Sequence, residues 1–191
     1  TFFLNTYGSL YAIDNDNMRI VWFLNLNQSI DLNPSNLFKG NQIVLNNEKV
    51  TVTTNQFTYV LEAKTGSLIY KKNFNSLVKP LIINNYLFLI TSENLLISLN
   101  LQNGEIIYSY NINQKIADYL DIKKKKAEFK SLMMVNGNIY IFLKNSYILK
   151  FNVRGTLVKV DKLPSKINTQ PIFIDSSILY LNNSNKLFMV N

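Results

Sequence analysis

The sequence contains neither cysteine nor histidine. Without cysteine there is no disulfide, no thiolate zinc site and no cysteine nucleophile. Without histidine the commonest metal ligand and the commonest general base are missing too. Charge is sparse, at 17% of residues, and tryptophan occurs once. Alanine is scarce while isoleucine, leucine, phenylalanine and tyrosine abound, a balance that favours strand over helix. No apolar run reaches the roughly 18 residues of a membrane-spanning helix. No start methionine or signal peptide precedes Thr1. Thr1-Phe2-Phe3-Leu4 reads as the middle of a strand, so the true N-terminus is expected to lie upstream.

The oxygen-bearing residues do not assemble into an obvious reactive set either. Glu62, Glu93, Glu105 and Glu128 are scattered, with no pairing that suits general acid and base work. The serines sit in turn contexts, and no nucleophile elbow surrounds any of them. Asp14, Asn15, Asp16 and Asn17 form a small oxygen cluster. A calcium loop needs six to eight oxygens, with a spaced bidentate Glu that this loop lacks, so the cluster reads as turn chemistry. Thr65-Gly66 lacks the strand-loop-helix setting of a phosphate cradle. No catalytic, cofactor or metal residues are assigned, and the protein is not expected to be an enzyme.

What is present is a repeated turn. Leu61-Glu62-Ala63-Lys64-Thr65-Gly66-Ser67-Leu68-Ile69-Tyr70 runs strand, tight turn, strand, aromatic. Leu99 to Tyr108, with Gly104, is a second copy, and Phe151 to Val158, with Gly155, a third whose turn is one residue shorter. Ile13 to Trp22 is a fourth, with Asp and Asn in place of glycine. A hairpin loop built on a type I turn needs one residue at positive φ, which glycine adopts without steric cost. Gly66, Gly104 and Gly155 are therefore expected there.

Around these turns the chain divides into repeats over 1–25, 40–74, 79–111, 131–163 and 170–191, with an insertion at 112–130. Each complete repeat reads as four strands, A to D. The first has no strand A and the last no strand D. A looser stretch from Asn25 to Lys39, broken at Pro34, follows the first repeat. Trp22 to Tyr70 is 48 positions and Tyr70 to Tyr108 is 38, which brackets the ~40–50-residue period of propeller blades. Strands B and C are apolar at consecutive positions, as in Tyr86 to Ile90 and Ile139 to Leu143, and so are expected to be covered on both faces. Strand D carries Lys71, Lys72 and Lys159, which suits an outer edge strand. In the insertion Ile116, Tyr119, Leu120 and Ile122 sit at helical spacing.

Net charge is +8 and the isoelectric point near 9.5. Such a balance suits nucleic acid, anionic lipid or an acidic partner. The run Lys123-Lys124-Lys125-Lys126 follows the helical stretch. It is not interleaved with aromatics, as a nucleic-acid surface would be, so nucleic acid is not expected. An isolated run of this kind reads as a solvated face; the other reading, from its place in an insertion between repeats, where binding loops concentrate, is a partner-binding segment.

The signature A-x-D-x-x-T-G-x-x-x-W marks repeats of the pyrroloquinoline-quinone (PQQ) type. Glu62 to Tyr70 resembles it, with Glu for Asp and Tyr for Trp. Tyr11-Ala12-Ile13-Asp14 with Trp22 resembles it from the other end, and Asn100, Gly104 and Tyr108 more weakly. The resemblance spans nearly the whole chain. It implies an all-β fold, a β-propeller of four-stranded antiparallel blades, here the C-terminal half of a ring of about eight. It also implies that Trp22, Tyr70 and Tyr108 each pack against the neighbouring blade. Lys159 stands where the fourth repeat would carry that aromatic.

Quinoprotein dehydrogenases of this class characteristically carry a vicinal disulfide, which a chain without cysteine cannot form. The chain is more similar to the propeller lipoprotein of the bacterial outer-membrane β-barrel assembly machine, the BamB-like group. That resemblance implies a non-enzymatic scaffold for protein–protein contact, with an outer-membrane assembly component as partner. It also implies a periplasmic location at the outer membrane, through a lipid anchor on the missing N-terminal part. The alternative reading is a quinone-dependent dehydrogenase-like or ligand-binding propeller. Blade faces left bare at the two ends are expected to make this length of chain self-associate.

Overall fold

The turns set the strand register. The computed structural model describes residues 1–26, 43–46, 48–175 and 177–190. Most of the looser 25–39 stretch, Pro34 included, the start of the second repeat at 40 and the final Asn191 lie outside the described residues. Gly66, Gly104 and Gly155 sit at φ +73°, +71° and +79°. Met18 holds the equivalent place in the first turn at φ 52°. Asn136 and Gly137 are both at positive φ, the pairing that a two-residue type I′ hairpin requires.

Among the described residues, five antiparallel sheets follow one another along the chain. The first holds β1 (Phe2–Leu4), β2 (Ser9–Asp14) and β3 (Arg19–Asn25). The second holds β4 (Val44–Leu45), β5 (Lys49–Thr53), β6 (Thr58–Glu62) and β7 (Leu68–Lys72), and the third β8 (Leu81–Ile83), β9 (Tyr86–Ile90), β10 (Leu95–Asn100) and β11 (Ile106–Asn111). Helix α1 (Ile112–Leu120) then precedes the fourth sheet, β12 (Phe129–Val135), β13 (Asn138–Leu143), β14 (Tyr147–Asn152) and β15 (Leu157–Lys162). The last sheet has three described strands, β16 (Ile172–Ile174), β17 (Ser177–Leu181) and β18 (Leu187–Val190). Within every sheet the strands lie in chain order, as consecutive hairpins.

Burial follows position in the sheet. All of β5 is buried, as is nearly all of β6, β9 and β10, whereas the fourth strands β7, β11 and β15 are half-buried or exposed. A middle strand apolar on both faces is thus covered on both. The lysines of the outer strands are not all bare charges. Lys71 is half-buried, with its ammonium 3.6 Å from the ring centroid of Phe57, so its aliphatic stem and charge both have partners.

The chain divides into two compact units: Thr1–Ser92 with Ser98–Ile107, and Glu93–Ile97 with Tyr108–Asn191. In the first unit Leu10, Val50, Val52, Tyr59 and Leu61 form a core onto which Phe2, Leu4, Trp22 and Leu24 pack. Lys49, buried at the start of β5, donates from Nζ to Oε1 of Gln102. In the second unit Phe142, Ile148, Leu163, Ile167 and Tyr180 form a core, with Tyr140, Phe173, Phe188 and Val190 packed against it.

Candidate functional site

The repeated turns make a series of aromatic docks. Trp22, on β3, lays its ring against Gly66, and a Cβ at Gly66 would stand 2.5 Å from the indole Cδ2. The indole Nε1–H donates to the Ala63 carbonyl at 3.0 Å. The same arrangement recurs one repeat on, where Tyr70 faces Gly104 and its hydroxyl reaches the Asn100 carbonyl at 3.5 Å. In the second unit Gly155 meets Tyr110 most closely, with Tyr108 next and stacked on Tyr110 at 5.1 Å between centroids. Tyr110 is a ring that the sequence reading did not single out. It lies two residues beyond Tyr108 and so on the same face of the strand. Burial pushes the Tyr70 phenol up to about 12 and raises that of Tyr108 as well, with Tyr110 adding to the latter.

The series stops at β15. Lys159 stands four residues after Gly155, where the earlier repeats carry Trp22, Tyr70 and Tyr108, and it bonds Asp161 at 2.9 Å instead. That hydrogen bond raises the Lys159 ammonium above its usual value. Helix α1 packs beside β15.

The insertion is braced at both ends. The Asn111 side chain caps α1 by accepting the Gln114 N–H at 3.0 Å. Asp121 closes the helix in the left-handed region at φ 51°, and the Ile122 N–H returns to the Ala117 carbonyl at 3.1 Å. Beyond the lysines, the Ala127 N–H donates to Oδ1 of the buried Asn113 at 3.0 Å. The buried positions of the helix are Ile112, Asn113 and Ala117. The residues at helical spacing are not the buried ones: Ile116 is only partly covered, and Tyr119, Leu120 and Ile122 are exposed. The apolar spacing was helical, but it belongs largely to the solvent side. Lys123, Lys124, Lys125 and Lys126 are all exposed. An apolar patch of Tyr119, Leu120 and Ile122 therefore adjoins four ammonium groups on a segment held at both ends.

Elsewhere the polar clusters serve the turns. Asp14 accepts the Asp16 N–H at 3.0 Å and the Asn17 side-chain amide at 2.8 Å. These bonds, the Asn17 one foremost, hold its carboxyl below the ordinary carboxylate value. Among the described residues no group of three acidic, histidine or cysteine side chains could hold a metal ion. An open groove of 530 Å³ between β4 and β8 is lined by Leu45, Leu81 and Ile82, with Glu48 and Lys79 among its polar residues.

No family model and no curated protein matches the sequence. Solved structures do. BamB from Moraxella catarrhalis superposes with a TM-score of 0.73 at 10% identity, over 96% of this chain and 53% of that one. This chain thus spans about half the length of that structure. A protein of unknown function from Bacteroides caccae matches at a TM-score of 0.56 and 14% identity, over 100% of this chain and 71% of that one. The computationally designed Ika4 protein matches at 0.59 and 11%, over 80% of this chain and 90% of that one. At such identities the likeness is one of fold. The chain is all-β, built of antiparallel β-propeller blades, with a fold like that of BamB.

Proposed function

We propose that this chain is a non-catalytic scaffold of PQQ-type repeats that binds other proteins during outer-membrane β-barrel assembly. The observation that carries the reading is the braced segment at Tyr119 to Lys126. It offers exposed apolar side chains beside four lysines and is anchored through Asn111 and Asn113 rather than left as a loose tail. Such a surface suits a partner with an apolar ridge flanked by carboxylates. Its charges raise the rate and selectivity of encounter, and its apolar patch slows dissociation. The likeness of fold to BamB supports the assembly role. On this reading the protein works in the periplasm at the outer membrane, held there by a lipid anchor, and takes no cofactor.

The test is a photo-crosslinking residue at Lys124 in cells whose outer membrane is being built. The expected product contains a component of the barrel-assembly apparatus and disappears when Lys123 to Lys126 are all serine. Cross-linking only to unrelated envelope proteins overturns the assembly role. A bound chromophore in the purified protein, or dye-linked alcohol oxidation after adding quinone and calcium, overturns the non-catalytic one.

A further inference from the structure

The net charge of +8 is confined to one part of the chain. Residues 1–107 carry seven basic and seven acidic side chains, whereas residues 108–191 carry 13 of the 20 lysines and arginines but five of the 12 acids. The fold sorts this excess further. In the fourth sheet β12 and β14 start at one end, and β13 and β15 finish there. That end holds Lys130 at the start of β12, Lys144 in the turn between β13 and β14, and Lys162 at the end of β15. The opposite end holds the Asn136–Gly137 turn and the turn from Asn152 to Thr156, where Arg154 is the one charged residue.

Hydrogen bonds make the lysine-bearing segments contiguous at that end. The insertion starts and finishes there, since the Ala127 N–H donates to Asn113. The Lys144 N–H donates to the Glu128 carbonyl at 2.9 Å, and the Lys144 ammonium stands 3.2 Å from the Glu128 carboxylate. On the other side of the same turn the Leu163 N–H donates to the Ser146 carbonyl at 2.7 Å, and Tyr147 stands opposite Lys162. Lys166 follows, exposed between the buried Leu163 and Ile167. Lys123 to Lys126 and Lys162 are exposed as well. Among the described residues none of these six lysines has a carboxylate within ion-pair distance.

A ridge of one sign repels itself, and an anionic occupant relieves that repulsion. The carboxylates of Asp118, Asp121, Glu128 and Asp161 stand on the same elements, all exposed. A laterally uniform anionic bilayer would meet them as fixed repulsions. An acidic protein segment has its own spacing and can set its carboxylates against the lysines alone. We propose that an acidic segment of a partner protein lies along this ridge, from Lys123–Lys126 past Lys162 to Lys166. The proposal rests on the reading of Tyr119 to Lys126 as a contact surface and extends it to the stretch that follows β15. Tyr119, Leu120 and Ile122 take the apolar side chains of that segment, and Lys162 and Lys166 fix the direction in which its carboxylates run.

The test is fluorescence anisotropy of a labelled peptide of alternating glutamate and leucine, titrated with the 191-residue chain, with dichroism to verify the folding of each variant. Wild type is expected to bind, less tightly as salt rises. Lys162→Ser combined with Lys166→Ser should weaken binding about fivefold although the segment is intact. Serine at all of Lys123 to Lys126 should weaken it further, and Arg154→Ser at the opposite end should leave it unchanged. No binding by wild type overturns the proposal. So does equal weakening by Arg154→Ser, which would mean attraction to net charge alone. Binding that depends on one of the two lysine sets also overturns it. If that set is Lys123 to Lys126, the contact segment stands by itself; if it is Lys162 with Lys166, the segment reading fails as well. Tighter binding to vesicles of equal phosphatidylglycerol and phosphatidylcholine than to the peptide, lost in the same variants, would make the ridge a membrane face and overturn the protein occupant.

Discussion

The ring of Trp22 lies so close over Gly66 that a methyl group on that glycine would stand 2.5 Å from the indole Cδ2. Gly66 is needed twice over, for its φ of +73° and for the missing side chain. The two demands can be separated at Gly137. It has nearly the same φ, +74°, but nothing within 4 Å of an added Cβ. Gly137→Ala should cost only the left-handed backbone term, about 1–2 kcal/mol. Gly66→Ala should cost that plus an overpacking term of about 1–3 kcal/mol. Urea denaturation of the two variants measures the difference, and equal midpoints would remove the dock from the account.

Removing the ring tests the same contact from the other side. Trp22→Ala deletes a large side chain and its hydrogen bond to Ala63, and should cost about 3–5 kcal/mol. Tyr70→Ala should cost more than Lys71→Ala. Lys71→Ala will not be silent, because its ammonium sits on Phe57 and such a contact is worth about 0.5–1 kcal/mol.

Met18 adopts φ 52° with a side chain that is 78% exposed. Met18→Gly relieves about 1–2 kcal/mol of backbone strain and gives back about 0.5–1 kcal/mol in unfolded-chain entropy. The expected result is a gain of up to about 1 kcal/mol in urea denaturation. A loss would show that the Met18 side chain makes a stabilising contact.

Alkaline unfolding should track the docked tyrosines. Burial raises the Tyr70 phenol to about 12, above the ~10 of an unfolded chain. The folded state then holds the proton more tightly, so stability is full below about pH 10 and falls as pH climbs through about 12. Tyr108 is raised too and acts in the same sense. Tyr70→Phe keeps the ring and removes the titrating group. Its unfolding transition, followed by tyrosinate absorbance and dichroism, should move to higher pH; an unmoved transition would exclude Tyr70 as the trigger.

Replacing Lys123 to Lys126 with serine should leave the melting temperature nearly unchanged, because all four side chains are exposed and surface substitutions stay within about 0.5 kcal/mol. Asn113→Ala, by contrast, removes the buried acceptor for the Ala127 N–H. It should cost about 1–3 kcal/mol. A large stability loss from the lysine replacement would make the segment structural rather than a contact surface.

The sequence by itself determined the strands, the turns and their order. Those depend on local chemistry: short apolar runs rich in β-branched and aromatic residues, Asn-Gly and Thr-Gly turns, and glycine's freedom at positive φ. It also marked Trp22, Tyr70 and Tyr108, because a strand-closing aromatic recurs at a fixed distance from the turn. Tertiary structure alone decided what those rings touch. Tyr110, not Tyr108, comes closest to Gly155, because two rings on one strand face compete for the same glycine and only the packed distance picks between them. It alone decided the helix face, burying Ile112, Asn113 and Ala117 and leaving Tyr119, Leu120 and Ile122 outside. A helical period tells which residues share a side, but not which side the fold covers.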